Sequence, residues 1–459
     1  MQKDINGLPL SGATAPAVEH YEAAVAELQC YRGDPVARAE AALTESPDFV
    51  MAHVVRAWLH LFGTEPSGLL VARESLNAAW DLPANTRERG HLEAIRHLTE
   101  GRWHAAGRVM EDVTIEFPHD ALGLLAGHQI DFFTGHSRML LNRIARALPR
   151  WHASMPGYHS LLGMHAFGLE ETGDYYRAEA AGRLAVELKP TDGWALHAVA
   201  HVFEMQNRTS DGIAWMRGND GWTGDSFLQV HNWWHLALYH LEAGDIPATL
   251  SLFDENIYSK KSNIVMEMVD ASSLLWRLYL RGADTGDRWK ALADNWAPVS
   301  TAGNYAFNDL HAMMAFIGSG RHDSARAVIA AQKEAMSRAD DNASFTTDIG
   351  QPACQAFLAF GDGDYAKTVE LLRPIRSIAA RFGGSHAQRD VIDLTLLEAA
   401  LRTGDAALSA ALASERDERR HDSPLTQLFL RRAMALQSTP QTEMHHDAKL
   451  PSQYAAKFR

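Results

Sequence analysis

Cysteine is nearly absent: Cys30 and Cys354 are the only two in 459 residues and lie far apart. That excludes a disulfide framework and a thiolate metal site, and it suits a reducing compartment. Proline is sparse too, with 17 spread along the length, so no proline-rich linker divides the chain. No stretch approaches the roughly 18 uncharged apolar residues of a membrane span, and the start from Met1 to Asn6 shows no apolar run of signal-peptide length. A cytoplasmic protein without a membrane partner is expected. Basic residues are outnumbered, 43 against 57 acidic, for a formal charge of −14. Because phosphate binding depends on a cationic surface that releases counterions, nucleic acid is not expected as a partner.

What the chain has is a period. From Tyr158 it reads YHSLLGMHAFGLEETGDYYRAEAAGRLAVELKPTD, with Ala166, Gly173-Asp174-Tyr175, Ala178, Ala185 and Pro190 at the places a tetratricopeptide repeat needs them. The alanines let two helices approach closely, the glycine turns the chain, and the proline stops the second helix. The same pattern recurs at Ala94, Gly101, Trp103, Ala106 and Pro118, and around Gly363-Asp364-Tyr365 with Pro374. Turn residues at Gly33, Gly63, Gly101, Gly135, Gly173, Asn207, Gly244, Gly282, Gly320, Gly363 and Gly404 count about eleven hairpins at a spacing near ~34 residues. The expected fold is an all-α, right-handed superhelical solenoid over residues 1–437, nearly closed around a central cavity, with 438–459 as a C-terminal extension.

Histidine is abundant, 23 in all, and its placement is the main functional signal. Counting from the turn at Asn207 puts Trp194, His197, His201 and Glu204 on the groove-facing stripe of one helix, since i, i+3, i+7 and i+10 share a face. The next repeat carries His231-Asn232-Trp233-Trp234-His235. Counting from Gly244 points His231, Trp234 and Glu242 inward and sets His235 and His240 nearer the packing seam. The preceding repeat points Glu170 and Glu171 inward and leaves His165 on the seam. Trp233 joins Trp194 and Trp234 as a candidate aromatic wall for substrate.

Three readings of this constellation stand side by side. Stacked imidazoles and indoles are a packed interior satisfied by neighbouring carboxylates. Alternatively, His197, His201 and His231 hold a divalent metal such as zinc, for hydrolase-type chemistry. The third reading is metal-free acid/base catalysis of hydrolase or lyase type by His197, His201, Glu204 and His231. A glutamate directly after the first histidine, as common zinc proteases have it, is missing. Ser385-His386-Ala387-Gln388 reads as a capping box, with His386, Arg389 and Asp390 as candidates for gripping an anionic group. Asn308, Asp309 and His311 are comparable candidates.

The blocks GMHAFGLEETGDYYRAE, DGWALHAVAHVFEM, HNWWHLALYHLEAGD and GGSHAQRDV resemble the tetratricopeptide repeat protein 38 family, and the similarity runs from Leu8 to Pro424. The resemblance implies a cytoplasmic helical-repeat protein and names no reaction. Its hallmark blocks fall on His197, His201, Glu204, His231 and His235, which implies a small, partly polar ligand in the cavity. The alternative is a non-catalytic scaffold that grips a peptide or partner protein in its concave groove; a homo-oligomer is compatible with either.

Overall fold

The computed structural model describes residues 2–438. They form an all-α solenoid of 24 helices, in which the only sheet among the described residues pairs Gln2–Lys3 with Pro9–Leu10. Eleven antiparallel helical hairpins follow one another from Ala15–Cys30 with Pro35–Glu45 to His386–Thr403 with Ala406–Arg419, and the helix Pro424–Ser438 ends the stack. The C-terminal extension expected from residue 438 lies outside the described residues, apart from Ser438 itself.

Several of the hairpins share one local device. A left-handed residue ends the first helix, and an aspartate then caps the second by accepting its third backbone amide. Gly173-Asp174, Gly244-Asp245, Gly363-Asp364 and Gly404-Asp405 all follow this plan. Asn207 takes the glycine's place at φ 55°. The turn expected at Gly63 departs from it: Gly63 is helical and Thr64 adopts the left-handed conformation, φ 54°. The shift by one residue aims Thr64 at the centre of the molecule, where its carbonyl accepts from Asn304 Nδ2 at 2.9 Å and its hydroxyl from Asn308 Nδ2 at 3.0 Å.

Contacts of this kind close the coil. Val265 N donates to Glu65 Oε1 at 3.1 Å, and Arg32 Nη1 to the Gly221 carbonyl at 2.6 Å. Trp103 stacks on Tyr305 at 5.4 Å, and Tyr305 Oη donates to the Phe133 carbonyl at 3.0 Å. Gly383, with φ 86°, leaves room there that a Cβ would take from Phe133 and Tyr305. First helices of the central hairpins are therefore buried on nearly every face, between their hairpin partners and the residues that fill the middle. Helix Gly193–Met205 is buried from Gly193 through Glu204, which explains why it is apolar all round except for its histidines and Glu204. Among the described residues, no helix is long and apolar enough to cross a membrane.

Candidate metal centre

Two neighbouring inner helices, Gly193–Met205 and Gln229–Glu242, each carry two histidines one turn apart. His197 and His231 are 34 residues apart, one repeat, and so are His201 and His235. Stacking the repeats therefore brings four imidazoles to one point. His197 Nε2 lies 2.9 Å from His201 Nε2 and 3.0 Å from His231 Nε2. Ring centroids are 4.5 Å apart for His201 and His235 and 4.9 Å for His231 and His235. One nitrogen from each of the four falls within 4.8 Å of all the others. All four are buried, His201 and His235 completely.

His235 is thus a member of the cluster and not a seam residue. With His231 turned inward, a residue four places on lies on the same stripe; counting back from Gly244 misplaced it by a position. Trp233 is corrected in the opposite direction. It faces away from the histidines and packs edge-on against Trp222 at 4.5 Å. Trp234, fully buried, stacks on His231 at 5.3 Å, and Trp194 lies 4.9 Å from His197.

Carboxylates stand behind the imidazoles. His231 Nδ1 meets Asp270 Oδ1 at 2.9 Å, and His235 Nδ1 meets Glu204 Oε2 at 3.0 Å. His201 Nδ1 faces Glu170 Oε2 at 3.7 Å. A proton on Nδ1 directed at a carboxylate leaves the Nε2 lone pair free for an ion, the usual second layer of a histidine metal site. His201 and His197 are held less firmly: Nδ1 of each is buried without a hydrogen-bond partner, His201 with Glu170 3.7 Å away and His197 with no carboxylate behind it. Nε2 of His235 is unpartnered as well. Burial first, and the neighbouring imidazoles after it, hold His197 and His201 well below the ordinary histidine range, and burial and His231 do the same for His235. That favours the neutral form of these three rings, as ligation requires. Sequence reasoning had no access to Asp270, which arrives from the next repeat.

Glu170 is fully buried with neither oxygen hydrogen-bonded, and burial pushes its carboxyl up to about 7. His386 Nδ1 is 3.8 Å from it, and His386 Nε2 is 3.6 Å from Glu171 Oε2. Glu171 is engaged by the His386 amide at 2.7 Å and Arg389 Nη2 at 3.2 Å. Glu170, Glu171, His386 and Arg389 therefore form one group behind His201, with the guanidinium spent on Glu171. The Ser385 capping box is formed, with Ser385 Oγ accepting from Gln388 N at 3.3 Å and Gln388 Oε1 from Ser385 N at 3.0 Å.

A cavity of about 220 Å³ adjoins the cluster, lined by His197, His231 and Trp194 together with Tyr31, Gln129 and Phe307. Asn308 reaches this cavity, whereas His311 is bonded to the Phe307 carbonyl at 2.8 Å and Asp309 is buried beside Gln332 at 3.1 Å. His165 stays outside the cluster; His240 pairs with Asp245 at 3.4 Å. Burial pushes the Asp309 carboxyl up to about 7 from its ordinary 3.8, against the Gln332 hydrogen bond. The folded chain keeps that proton to near neutrality while the unfolded chain releases it near 3.8, so stability falls as pH rises between the two values. Asp309→Asn, which still accepts from Gln332, should abolish this slope and stabilise the protein at pH 8 by on the order of a few kcal/mol. Paired denaturant titrations of both proteins at pH 5 and 8 measure it.

No family model matches the chain. Among solved structures it is similar to a human IFIT1 dimer with m7Gppp-AAAA, at 13% identity over 94% of this chain and 96% of that one, TM-score 0.41. It is also similar to a monomeric IFIT1 mutant with Gppp-AAAA, at 13% identity over 92% and 96%, TM-score 0.39. These are helical-repeat chains, and the likeness concerns that architecture alone. The expectation that nucleic acid is excluded as a partner is corrected by them. Both of those chains were solved with capped RNA.

Proposed function

We propose that this chain is a helical-repeat binding scaffold whose closed centre holds one divalent metal ion, zinc fitting the all-nitrogen donor set, on His197, His201, His231 and His235. The observation that carries the reading is the convergence of four buried imidazole nitrogens, two of whose rings are hydrogen-bonded to a carboxylate from behind while a third faces Glu170 at 3.7 Å. A tetrahedral zinc with Zn–N of about 2.0–2.1 Å sets its donors roughly 3.3 Å apart, so the contacts at 2.9 and 3.0 Å need only a small opening. Four protein ligands complete a tetrahedron. Closed sites of that kind support folding and binding, whereas hydrolytic zinc keeps a position for water, and this weighs toward a non-catalytic scaffold for a partner or ligand.

A hydrolase or lyase reading rests on one specific feature: His197 has no carboxylate behind it and borders the 220 Å³ cavity, so it is the ligand most easily replaced by water or substrate. In that case Glu204 and Glu170 serve as positioning groups for His235 and His201. A cytoplasmic location and the narrower kinship to the tetratricopeptide repeat protein 38 family belong to the same proposal.

Elemental analysis of the purified full chain should find one equivalent of zinc or a neighbouring transition metal. Cobalt substitution then separates the two readings by its visible absorption. An intense tetrahedral spectrum unchanged by added azide supports the closed scaffold site, and a spectrum that azide shifts supports an open, catalytic one. Metal content near zero after growth and purification in zinc would sink both.

A further inference from the structure

A larger cavity lies elsewhere. It measures about 760 Å³, within the ~300–1,000 Å³ of small-molecule sites, and sits between the later inner helices and the final helix Pro424–Ser438. Six arginines line it. Four are neutralised there: Arg416 by both oxygens of Asp390 at 2.7 and 3.0 Å, Arg402 and Arg432 by Glu398 at 2.7 and 2.6 Å, and Arg420 by Glu204 at 3.6 Å.

The other two are not. Arg277 and Arg281 stand one turn apart at the end of helix Val265–Leu280, so their side chains share a face. Arg277 donates to the carbonyls of Ser273 at 3.1 Å and Ala387 at 2.6 Å and lies over Trp234, while Arg281 donates to the Leu241 carbonyl at 2.6 Å. Those backbone bonds position the guanidiniums without balancing their charge. No carboxylate of the described residues forms an ion pair with either. Arg277 is only 5% exposed, and burial holds both groups down near 10 despite Asp390, Glu204 and Glu242 in the vicinity. Arginine keeps its proton under such pressure, and Asp390, Glu204 and Glu242 offset the two buried charges only from beyond ion-pair distance.

The facing wall is apolar, built from Leu238, Leu241, Leu280, Leu394, Leu425 and Phe429, with the exposed Leu428 at the rim. A free inorganic anion would leave that wall wet, and a nucleobase would want exposed stacking faces, whereas the two aromatic residues of the lining, Phe429 and Tyr239, are 5% and 2% exposed. We infer that this cavity binds a small amphipathic anion, with a carboxylate or phosphate headgroup on Arg277 and Arg281 and an aliphatic body along the leucine wall. Forked guanidiniums suit either oxyanion, and the anion would add the direct ion-pair partner that neither arginine has among the described residues. The inference does not depend on the metal centre, since neither arginine is a ligand there.

Calorimetric titration of the full chain, below micelle-forming concentrations, tests it with decanoate, decyl phosphate, decan-1-ol and inorganic phosphate. One decanoate or decyl phosphate should bind per chain, at least about tenfold tighter than decan-1-ol or inorganic phosphate, and the better of the two identifies the headgroup. Arg281→Gln should weaken the decyl anion about tenfold or more and leave decan-1-ol unchanged. Leu428→Glu, a change at an exposed position that folding tolerates, should weaken the decyl anion comparably while metal content stays at the wild-type value. Equal affinity for decan-1-ol and decanoate overturns the inference. So does unaltered binding in Leu428→Glu, or selective capture of peptides with a free C-terminal carboxylate while no decyl anion binds.

Discussion

His235→Ala is expected to lose the metal as completely as His201→Ala, from one equivalent per chain to below about a tenth, while His165→Ala keeps it. The first two remove one of four ligands from a site where each nitrogen lies within 4.8 Å of the rest, and the third alters a residue outside it. The loss should also appear as stability. An ion that binds only the folded chain contributes RT ln(1 + [L]/Kd), about 4 kcal/mol when free metal is a thousandfold above Kd. His201→Ala and His235→Ala should therefore melt earlier than wild type in zinc-containing buffer, and chelator should bring wild type down toward them while leaving the two variants unmoved. If the cluster is only a packed interior, the signs change. His235→Ala then costs about 1–3 kcal/mol through a cavity and the stranded Glu204, chelator shifts nothing, and metal content is zero throughout. A chelator-insensitive wild type would thus end the metal reading.

The helical hairpins could be read from sequence because their determinants are local. A glycine or asparagine able to take a left-handed turn marks most junctions, and at several of them an aspartate directly after it caps the next helix. Thr64 broke the pattern because it serves a contact about 240 residues away, with Asn304, which no local rule anticipates. Within the site, the four-residue spacing of His197 and His201 survives any small error of register, so their shared face was legible. His235 was lost by anchoring the count to a turn rather than to the 34-residue spacing that joins it to His201. Trp233 was gained wrongly because adjacent residues on a helix point about 100° apart, and only one of two neighbouring tryptophans can face the histidines. Asp270 was beyond reach altogether. Nothing in its own helix marks it, and its role exists only because that helix stacks beside Gln229–Glu242.

Asp270 supplies the second large effect. Its carboxylate at 2.9 Å from His231 Nδ1 fixes the tautomer that offers Nε2 to the ion and raises that nitrogen's basicity. Asp270→Ala should lower metal affinity by about 10–100-fold in a competition titration against a calibrated chelator, with the helical spectrum unchanged. Asp270→Asn separates the two contributions, because its amide oxygen still accepts from Nδ1 but carries no charge; an affinity between those of wild type and Asp270→Ala assigns the remainder to charge. Glu204→Gln should look different, since that carboxylate also faces Arg420 at 3.6 Å. Removing it leaves a buried guanidinium with less compensation, so metal affinity and stability should fall together. Were Asp270→Ala to bind metal as tightly as wild type, the carboxylate would be a bystander to a packed imidazole, and the same orientation argument for His235 with Glu204 would fail with it.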